Sequence, residues 1–371
     1  MVIGASPADL GLVRKEDQFM KTLYGFLVVL VVVALAAPTA AQEVVSTIAF
    51  TSTRNTPDAA TPRDRLNAAE VYLMDYLGNG QFSEPRRVAE NRQGAFPTLS
   101  PDGKGKIVFD SNRRRVLGEQ FNVSDLFLMN RNGTAERFLT RGGSPTWSPG
   151  GPHGRPSKMI AFHASASGTG RAIKIDPGAA TIDSDIFVVN VGDLLEEGAV
   201  PQNITNDPDA VDDDPDWSPD GLKIAFTSHP VTDNHMNSTK AEIYVINPDG
   251  TGRQRLTFNT EEERAPNWSP DGTLILFMCR RNGPDFEICV MNADGTQQTQ
   301  LTSNELFEGT PTWSPDGQQI VFNRTLPDQG AQLFVMNANG TGVTQLTTPP
   351  GLNLLATSWE KIEVGQDQPH Q

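Results

Sequence analysis

Short apolar runs recur along the chain, each bounded by polar turn residues. The clearest runs occupy residues 107–109, 160–162, 224–226, 274–277 and 320–322. Each is followed by a loop of variable length, a second apolar run that ends in Asn, and a turn containing Gly. Runs of this length between Asn-Gly or Asp-Gly turns are typical of β-hairpins rather than helices. The pattern therefore predicts a chain built almost wholly from short antiparallel strands.

A longer motif repeats immediately before these strands. Pro-x-Trp-Ser-Pro-Asp-Gly occurs in full from Pro215, Pro266 and Pro311, and weaker copies start at Pro97 and Pro145. All the tryptophans of the chain occupy the same position of this repeat: Trp147, Trp217, Trp268, Trp313 and Trp359. Five aromatic rings at one repeat position could form a ligand cage. Packing between neighbouring units is the favoured interpretation, because the strand that carries each tryptophan follows a proline and precedes a turn.

Each unit contains four predicted strands, the last closing with Leu-Thr, and spans about 45 residues where its loops are short, as one blade of a β-propeller does. Residues 46–88 supply three strands of a blade without its opening strand, and residues 356–360 supply an opening strand alone. The two ends are therefore expected to complete one blade together. This predicts an all-β, six-bladed propeller with four antiparallel strands per blade, whose first blade leaves no open sheet edge.

The repeated Trp-Ser-Pro-Asp-Gly, the Ile-Ala-Phe strand and the closing Leu-Thr resemble the WD40-like repeats of TolB-like β-propellers. The resemblance covers the chain from about Ser46 to Glu360. It implies a propeller that binds other molecules. TolB proteins carry a globular domain ahead of the propeller, and this chain is expected to lack it. The resemblance therefore implies the fold more strongly than it implies TolB's own envelope partners.

The amino-terminal region has the pattern of an export signal. Lys21 precedes an apolar run at residues 23–37, and small residues lead to Gln42. Such a run is shorter than the about 20 residues that span a bilayer, which favours a signal peptide over an anchor. The predicted organisation is a leader and signal peptide at 1–41, with Met20 as an alternative start, a propeller at 42–360 and a flexible tail at 361–371. Location is expected to be periplasmic or secreted, with no stable membrane insertion after cleavage.

Charge narrows the classes of partner. The formal net charge is −15, with 45 acidic and 30 basic residues. Nucleic acids and anionic membrane surfaces are poor partners for such a chain, because phosphate binding requires cations. A cationic ligand, a metal ion or a basic protein surface suits this charge. The acidity also has a simpler interpretation, which is solubility.

Antiparallel strand order assigns the loops to two rims. The turns after the first and third strands of each blade share one rim and carry the repeated Ser-Pro-Asp-Gly and Gly turns. The loops after the second and fourth strands share the other rim, and they contain all the length variation. Binding sites commonly lie in variable loops on a rigid scaffold. This second rim, called the variable rim below, is the predicted working face.

Two groups of candidate metal ligands lie toward that rim. The residue five positions before the tryptophan is acidic in three consecutive blades: Asp212, Glu263 and Glu308. Clustered carboxylates suit calcium; the alternative is a solvated acidic rim. His229, Asp233 and His235 have a spacing that suits a transition metal, although they are also ordinary residues of a flexible loop.

The remaining candidate functional residues are arginines, one further histidine and two cysteines. The predicted ligand- or protein-binding residues of the rim are Arg113, Arg114, Arg115, His163, Arg280 and Arg281. Arginine binds carboxylates and phosphates through two hydrogen bonds, and local ion pairs are the alternative. Cys279 and Cys289 fall on neighbouring strands of one blade. They are expected either to form a disulfide, as export would allow, or to be buried thiols.

No Gly-x-Ser-x-Gly, HExxH or CxxC motif and no glycine-rich phosphate loop is present. The sequence therefore favours a scaffold, not an enzyme, that binds a cell-envelope or extracellular protein, a peptide or a glycan through its variable rim. It is expected to act as a monomer and to require no cofactor, with calcium as a possible ligand. The alternative function is a hydrolase or lyase with a metal-assisted site at the acidic channel mouth.

Overall fold

A computed structural model of the chain describes residues 46–54, 69–88, 95–111, 124–150, 158–165, 184–196, 198–231, 241–281, 283, 285–349 and 351–361. These residues form six sheets of four antiparallel strands each. The all-β, six-bladed propeller predicted from the repeats is confirmed. Within the described ranges, no helix is long and apolar enough to cross a membrane.

The first three blades contain the following elements. Blade 1 consists of β1 (Ser46–Ser52), β2 (Glu70–Tyr76), β3 (Arg86–Arg87) and, from the far end of the sequence, β24 (Asn353–Lys361). Blade 2 consists of β4 (Ala95–Leu99), β5 (Lys106–Ser111), β6 (Asp125–Asn130) and β7 (Arg137–Arg141). Blade 3 consists of β8 (Gly143–Trp147), β9 (Met159–Ala164), β10 (Asp185–Asn190) and β11 (Gln202–Asn203), with the short helix α1 (Val191–Glu196) after β10.

The other three blades follow the same plan. Blade 4 consists of β12 (Ala210–Trp217), β13 (Ile224–Pro230), β14 (Glu242–Ile246) and β15 (Gln254–Arg255). Blade 5 consists of β16 (Glu263–Trp268), β17 (Leu274–Cys279), β18 (Glu287–Asn292) and β19 (Thr299–Gln300). Blade 6 consists of β20 (Glu308–Trp313), β21 (Gln319–Leu326), β22 (Gly330–Asn337) and β23 (Thr344–Gln345).

Blade 1 closes the ring as predicted. β24 pairs antiparallel with β1, in a register that runs from Ser46 opposite Lys361 to Ser52 opposite Asn353. The first strand of every blade contacts the first strands of its neighbours, so these six strands surround the central axis. They are called the inner strands below.

The tryptophans pack between blades. Trp147 of blade 3 lies in an apolar cluster with Val108 and Leu126 of blade 2. Trp217 of blade 4 packs in the same way against Ile186 and its neighbours in blade 3. The interpretation of the tryptophans as inter-blade packing is confirmed, because each apolar cluster joins one blade to the next.

The repeated turn residues have a structural role. In blade 4, Ser218 Oγ donates to Asp220 Oδ1 at 2.6 Å, and the backbone N–H of Leu222 donates to the same oxygen at 2.9 Å. Gly221 adopts a φ of 71°, which a side chain would oppose. The Ser-Pro-Asp-Gly motif is therefore fixed by turn geometry.

The predicted position of the last strand is wrong by about two residues in three blades. β15, β19 and β23 end before the Leu-Thr pair rather than on it. The physical reason lies in the threonine hydroxyl. Thr257 Oγ1 accepts from the backbone N–H of Ile243 at 2.9 Å and donates to a carboxylate oxygen of Glu242 at 2.5 Å. A side chain thus takes the place of the next ladder bond.

A disulfide joins Cys279 in β17 to Cys289 in β18. Both residues are fully buried, and their Cα atoms lie 5.9 Å apart. We expect reduction to lower the free energy of unfolding by about 2–4 kcal/mol, because the crosslink restricts the unfolded chain. Urea unfolding with and without dithiothreitol measures this difference. The variant with both cysteines changed to alanine should not respond to the reductant, and equal midpoints for the two wild-type curves would contradict the prediction.

Candidate binding site at the channel mouth

The inner strands share a bulge that sequence reasoning did not predict. The residue three positions before the tryptophan position has a positive φ in blades 2 to 6, namely Phe96, Ser144, Asp214, Ala265 and Thr310. Each precedes a proline, and the register of each inner strand shifts there. Such conformations are costly for residues other than glycine and are concentrated at functional sites. These five are called the bulge residues below.

The bulge residues surround a cavity of about 430 Å³ at the mouth of the channel. All five line it together with the prolines that follow four of them. The inner strands start at the variable rim, so this cavity, called the mouth cavity below, opens toward the face predicted to bind. Its remaining lining includes Arg264, Met278, Phe307 and Asn323.

A second cavity of about 320 Å³ lies deeper in the channel. It is lined by the five tryptophans and by the prolines of the Ser-Pro-Asp-Gly turns. The two cavities share Thr146, Asp216 and Asn267 as lining residues. Polar side chains therefore separate the mouth cavity from the turn-lined end of the channel.

A polar belt around the channel links neighbouring blades. The residues directly before each tryptophan position form it: Thr98, Thr146, Asp216, Asn267, Thr312 and Ser358. Asp216 Oδ2 accepts from the backbone N–H of Trp268 at 2.7 Å, and Asn267 Oδ1 accepts from that of Trp313 at 3.2 Å. Sequence reasoning missed this belt, although every copy of the repeat has a polar residue there.

Two carboxyl groups in the channel have strongly raised pKa values. Burial raises the pKa of Asp216 to about 7, and the hydrogen bonds that its carboxylate accepts partly oppose this rise. Burial, and next the charge of Asp216, raises the pKa of Glu360 to about 8 from its ordinary 4.5. Both groups therefore resist ionisation, and the deeper cavity becomes more negative as the pH rises.

The raised pKa of Glu360 predicts how stability depends on pH. The folded chain holds a proton that the unfolded chain has released, so the free energy of unfolding should fall as the pH rises from about 4.5 to about 8. Glu360→Gln removes this loss. We expect the variant to gain at least about 1 kcal/mol over wild type between pH 5 and pH 8, since one pKa unit corresponds to about 1.4 kcal/mol.

Denaturant titrations of both proteins at several pH values measure this gain. Glu305→Gln, at an exposed position between β19 and β20, serves as the matched control and should leave the difference between wild type and Glu360→Gln unchanged. Parallel profiles for wild type and Glu360→Gln would contradict the prediction.

The three predicted calcium ligands are not on the surface. Asp212, Glu263 and Glu308 lie within the inner strands and are 0% exposed. Sequence reasoning placed them in links because the bulge hides where these strands begin. Among the described residues, no three His, Cys, Asp or Glu side chains are grouped so that they could hold a metal ion. The arrangement gives no support to the acidic calcium cluster.

Each of these carboxylates instead binds an arginine. Both oxygens of Asp212 accept from Arg253, each at 3.1 Å. Glu263 pairs with Arg281 at 2.9 Å, and Glu308 accepts from Arg324 Nε at 2.6 Å. The three arginines also lie over aromatic rings of strands β13, β17 and β21, at 5.3, 5.6 and 5.5 Å from the ring centroids. These buried pairs hold the inner strands rather than offer free ligands.

Two predicted histidines meet around one carboxylate. His229 was assigned to a loop, but it lies in β13 opposite Val211 and is 2% exposed, because the strand continues past its apolar core. Its Nε2 is 3.9 Å from Asp213 Oδ2, and His163 Nδ1 is 3.7 Å from Asp213 Oδ1. Asp233 and His235 lie outside the described residues.

His163 also faces a second acid. Burial raises the pKa of Asp110 to about 6, and the charge of His163 is the largest of the influences that lower it. A Cβ atom at Gly143 would lie 2.6 Å from His163 Nε2 and 3.5 Å from Asp110 Oδ2. A side chain at position 143 would therefore displace the imidazole ring. His163 therefore sits between Asp110 and Asp213 beside the mouth cavity.

The structure describes only some of the arginines predicted to bind a ligand at the variable rim, and those pair with acids. Arg280 Nη1 lies 2.9 Å from Glu262, which matches the ion-pair alternative, as Arg281 does with Glu263. Arg113, Arg114 and Arg115 lie outside the described residues. Arg264, which lines the mouth cavity, was not among the candidates. Only the bulge turns it toward the channel, and no spacing in the sequence reveals that.

Comparison with known proteins decides the family. Residues 177–362 match the family model of the TolB β-propeller domain. The chain belongs to this family. A crystal structure of TolB from Acinetobacter baumannii superposes with a TM-score of 0.58 at 21% identity, over 85% of this chain and 66% of that one. This likeness shows the shared propeller fold.

Two curated relatives match over shorter stretches. Dipeptidyl-peptidase 5 of Porphyromonas gingivalis is 38% identical over 66 residues, which are 18% of this chain and 10% of that protein. The Tol-Pal system protein TolB of Alcanivorax borkumensis is 35% identical over 69 residues, which are 19% of this chain and 14% of that protein. The matched region thus spans a small part of either relative.

Proposed function

We propose that this TolB-family propeller is an exported scaffold that binds a ligand or a protein segment in the mouth cavity. The single observation that carries the proposal is the ring of bulge residues around that cavity. Strained conformations of this kind are concentrated at functional sites, and five of them recur at one repeat position around one cavity. The cavity also opens toward the rim whose loops vary in length.

Three observations support export. The apolar run at 23–37 follows Lys21 and precedes small residues, as in a signal peptide. The disulfide between Cys279 and Cys289 suits a periplasmic or extracellular compartment, where such bonds persist. One relative is named as a Tol-Pal system protein. A cell-envelope or extracellular partner agrees with all three.

Blocking the mouth cavity tests the binding role. Thr325 is an exposed residue of β21 that lines the cavity, and Thr325→Trp would fill its entrance. The matched control is Thr299→Trp, an exposed threonine on the outer strand β19. We expect molecules retained by the wild-type chain from an envelope extract to be lost with Thr325→Trp by at least about tenfold and kept with Thr299→Trp. Equal retention by all three proteins would contradict the proposal.

A further inference from the structure

Two arginines share one carboxylate beside the mouth cavity. Arg264 Nε donates to Glu262 Oε1 at 2.6 Å, and Arg280 Nη1 binds the other oxygen of Glu262 at 2.9 Å. Two guanidinium groups thus share one carboxylate. Within the described part of the chain, the two Nη atoms of Arg264 have no hydrogen-bond partner, and Arg264 lines the cavity. Its remaining donors are therefore available to a ligand.

The cavity lining also holds a buried amide. Asn323 is 4% exposed and lines the cavity. Its Oδ1 accepts from Thr310 Oγ1 at 2.8 Å, whereas its Nδ2 donates to no group among the described residues. A donor without an acceptor in the protein commonly faces a ligand or ordered water. Asn323 thus adds a second donor to that of Arg264.

One methionine lies between the two donors. Arg264 in β16 lies directly opposite Met278 in β17. A Cβ atom at Gly309 would lie 3.3 Å from Met278 Cε and 3.2 Å from Asn323 Oδ1. Met278 therefore separates Arg264 from Asn323, and both donors border one apolar patch.

Asp214, which lines the cavity from the neighbouring blade 4, already has partners. Asp214 Oδ1 accepts from Ser144 Oγ at 3.1 Å. Burial, and next the charge of Asp213, raises the pKa of Asp214, while His163 and Arg264 act against that rise. With two basic groups and a hydroxyl around it, Asp214 does not need a cationic ligand. Arg264 and Asn323 supply cavity donors that have no acceptor among the described residues.

Much of the remaining lining is apolar. Phe96, Phe307 and Met278 line the cavity with the bulge prolines. Phe307 is 39% exposed, which is high for an aromatic ring beside a channel. A volume of about 430 Å³ falls within the usual about 300–1,000 Å³ of small-molecule sites. A compact apolar group fits this lining.

From this juxtaposition we infer that the mouth cavity binds an apolar monocarboxylate, with its carboxylate on Arg264 and Asn323 and an aromatic or branched body against Phe96, Phe307 and Met278. The inference rests on the proposed function and names the chemistry of its ligand. Guanidinium and amide donors recognise a carboxylate through several hydrogen bonds at once. The exposed aromatic ring is covered when the body of the ligand binds.

Three probes of one shape test the ligand class. These are 4-phenylbutyrate, 4-phenylbutan-1-ol and 4-phenylbutylamine, titrated into the full chain by isothermal calorimetry. We expect the carboxylate to bind at least about tenfold more tightly than the alcohol, since a charged hydrogen bond contributes at least that factor. The amine should bind more weakly than either. Equal affinity of acid and alcohol, or preference for the amine, would overturn the inference.

Two arginine variants provide a matched pair. Arg264→Gln should weaken 4-phenylbutyrate by at least about tenfold and leave the alcohol unchanged. Arg280→Gln removes the other partner of Glu262 but does not line the cavity, so it should change the affinity by no more than about threefold. Asn323→Leu is a second variant and should reduce the preference for acid over alcohol. Equal effects of the two arginine changes would contradict the assignment.

The outcomes separate this inference from the proposed function. If none of the probes binds while Thr325→Trp still abolishes capture, the carboxylate assignment is wrong and the scaffold role stands. A different result is that 4-phenylbutyrate binds with an affinity that depends on Arg264, while Thr325→Trp does not reduce the retention of molecules from the envelope extract. In that case the ligand assignment stands, and partners bind elsewhere on the propeller.

Discussion

Deletion of residues 353–371 is expected to abolish cooperative folding of the propeller. The deletion removes β24, so β1 loses its inner partner and blade 1 keeps three strands. It also removes Trp359, which is 3% exposed, packs with Val321 and Leu333 of blade 6, and donates from Nε1 to Ser46 Oγ at 2.7 Å. Loss of a buried tryptophan costs about 3–5 kcal/mol by itself. A whole domain is stable by only about 5–15 kcal/mol.

Circular dichroism during thermal unfolding measures the effect, and the chain supplies its own control. Deletion of residues 362–371 leaves β24 intact and should shift the free energy of unfolding by no more than about 0.5 kcal/mol. If the longer deletion yields no protein, Trp359→Ala gives a smaller loss of stability that can still be measured. A synthetic peptide of residues 353–361 should restore a cooperative transition to the shorter chain. A cooperative transition at the wild-type temperature after the longer deletion would show that ring closure is not needed.

The fold could be predicted because the repeat is unusually explicit. Tryptophan occurs only at the repeat position, and the turn residues that bracket each strand are required by backbone geometry. The pairing of β24 with β1 followed from counting strands at the two ends. Each of these inferences depends only on residues that are close in the sequence, and hydrophobic and turn patterns are informative over such short stretches.

The inner strands were harder to place, because a bulge interrupts their alternation. Asp212 and Glu263 look like link residues when the strand is assumed to start at the proline. The structure extends the ladder through Asp212 and Asp213 by shifting the register before Asp216. A shift of this kind changes which side chains face the channel. Arg264 and Asp214 thus became lining residues that no periodicity could indicate.

Partners of the buried carboxylates were also invisible in the sequence. The arginines that bind Asp212, Glu263 and Glu308 follow them by 41, 18 and 16 residues. One comes from the loop before the fourth strand, and the others come from the end of the second strand or just beyond it. The repeat conserves no spacing between acid and base, so acidic positions alone suggested a metal site. Only the three-dimensional arrangement shows that a cation already occupies each one.

Arg324→Ala is expected to destabilise the chain by about 3–5 kcal/mol, the cost of leaving a buried ion without its partner. Glu308 is 0% exposed, and its Oε1 accepts from Arg324 Nε at 2.6 Å and from Asn304 Nδ2 at 2.9 Å. Arg324 also lies over the rings of Phe322 and Phe334, at 5.5 and 4.8 Å from their centroids. Removal of the guanidinium therefore leaves both a charge and two aromatic faces without a partner.

A double-mutant cycle separates these contributions. Arg324→Met with Glu308→Gln replaces both charges by side chains of similar length and should be less destabilising than Arg324→Ala, since no ion remains buried. Arg86→Ala is the surface control. Arg86 is 43% exposed and 3.8 Å from Asp75, so its loss should cost no more than about 1 kcal/mol. Urea unfolding is measured for wild type, Arg324→Ala, Arg86→Ala, the double variant and its two single variants, Arg324→Met and Glu308→Gln, which complete the cycle. If Arg324→Ala lowers the free energy of unfolding no more than Arg86→Ala does, water or another cation reaches Glu308. The carboxylates of the inner strands would then again be candidate cation ligands.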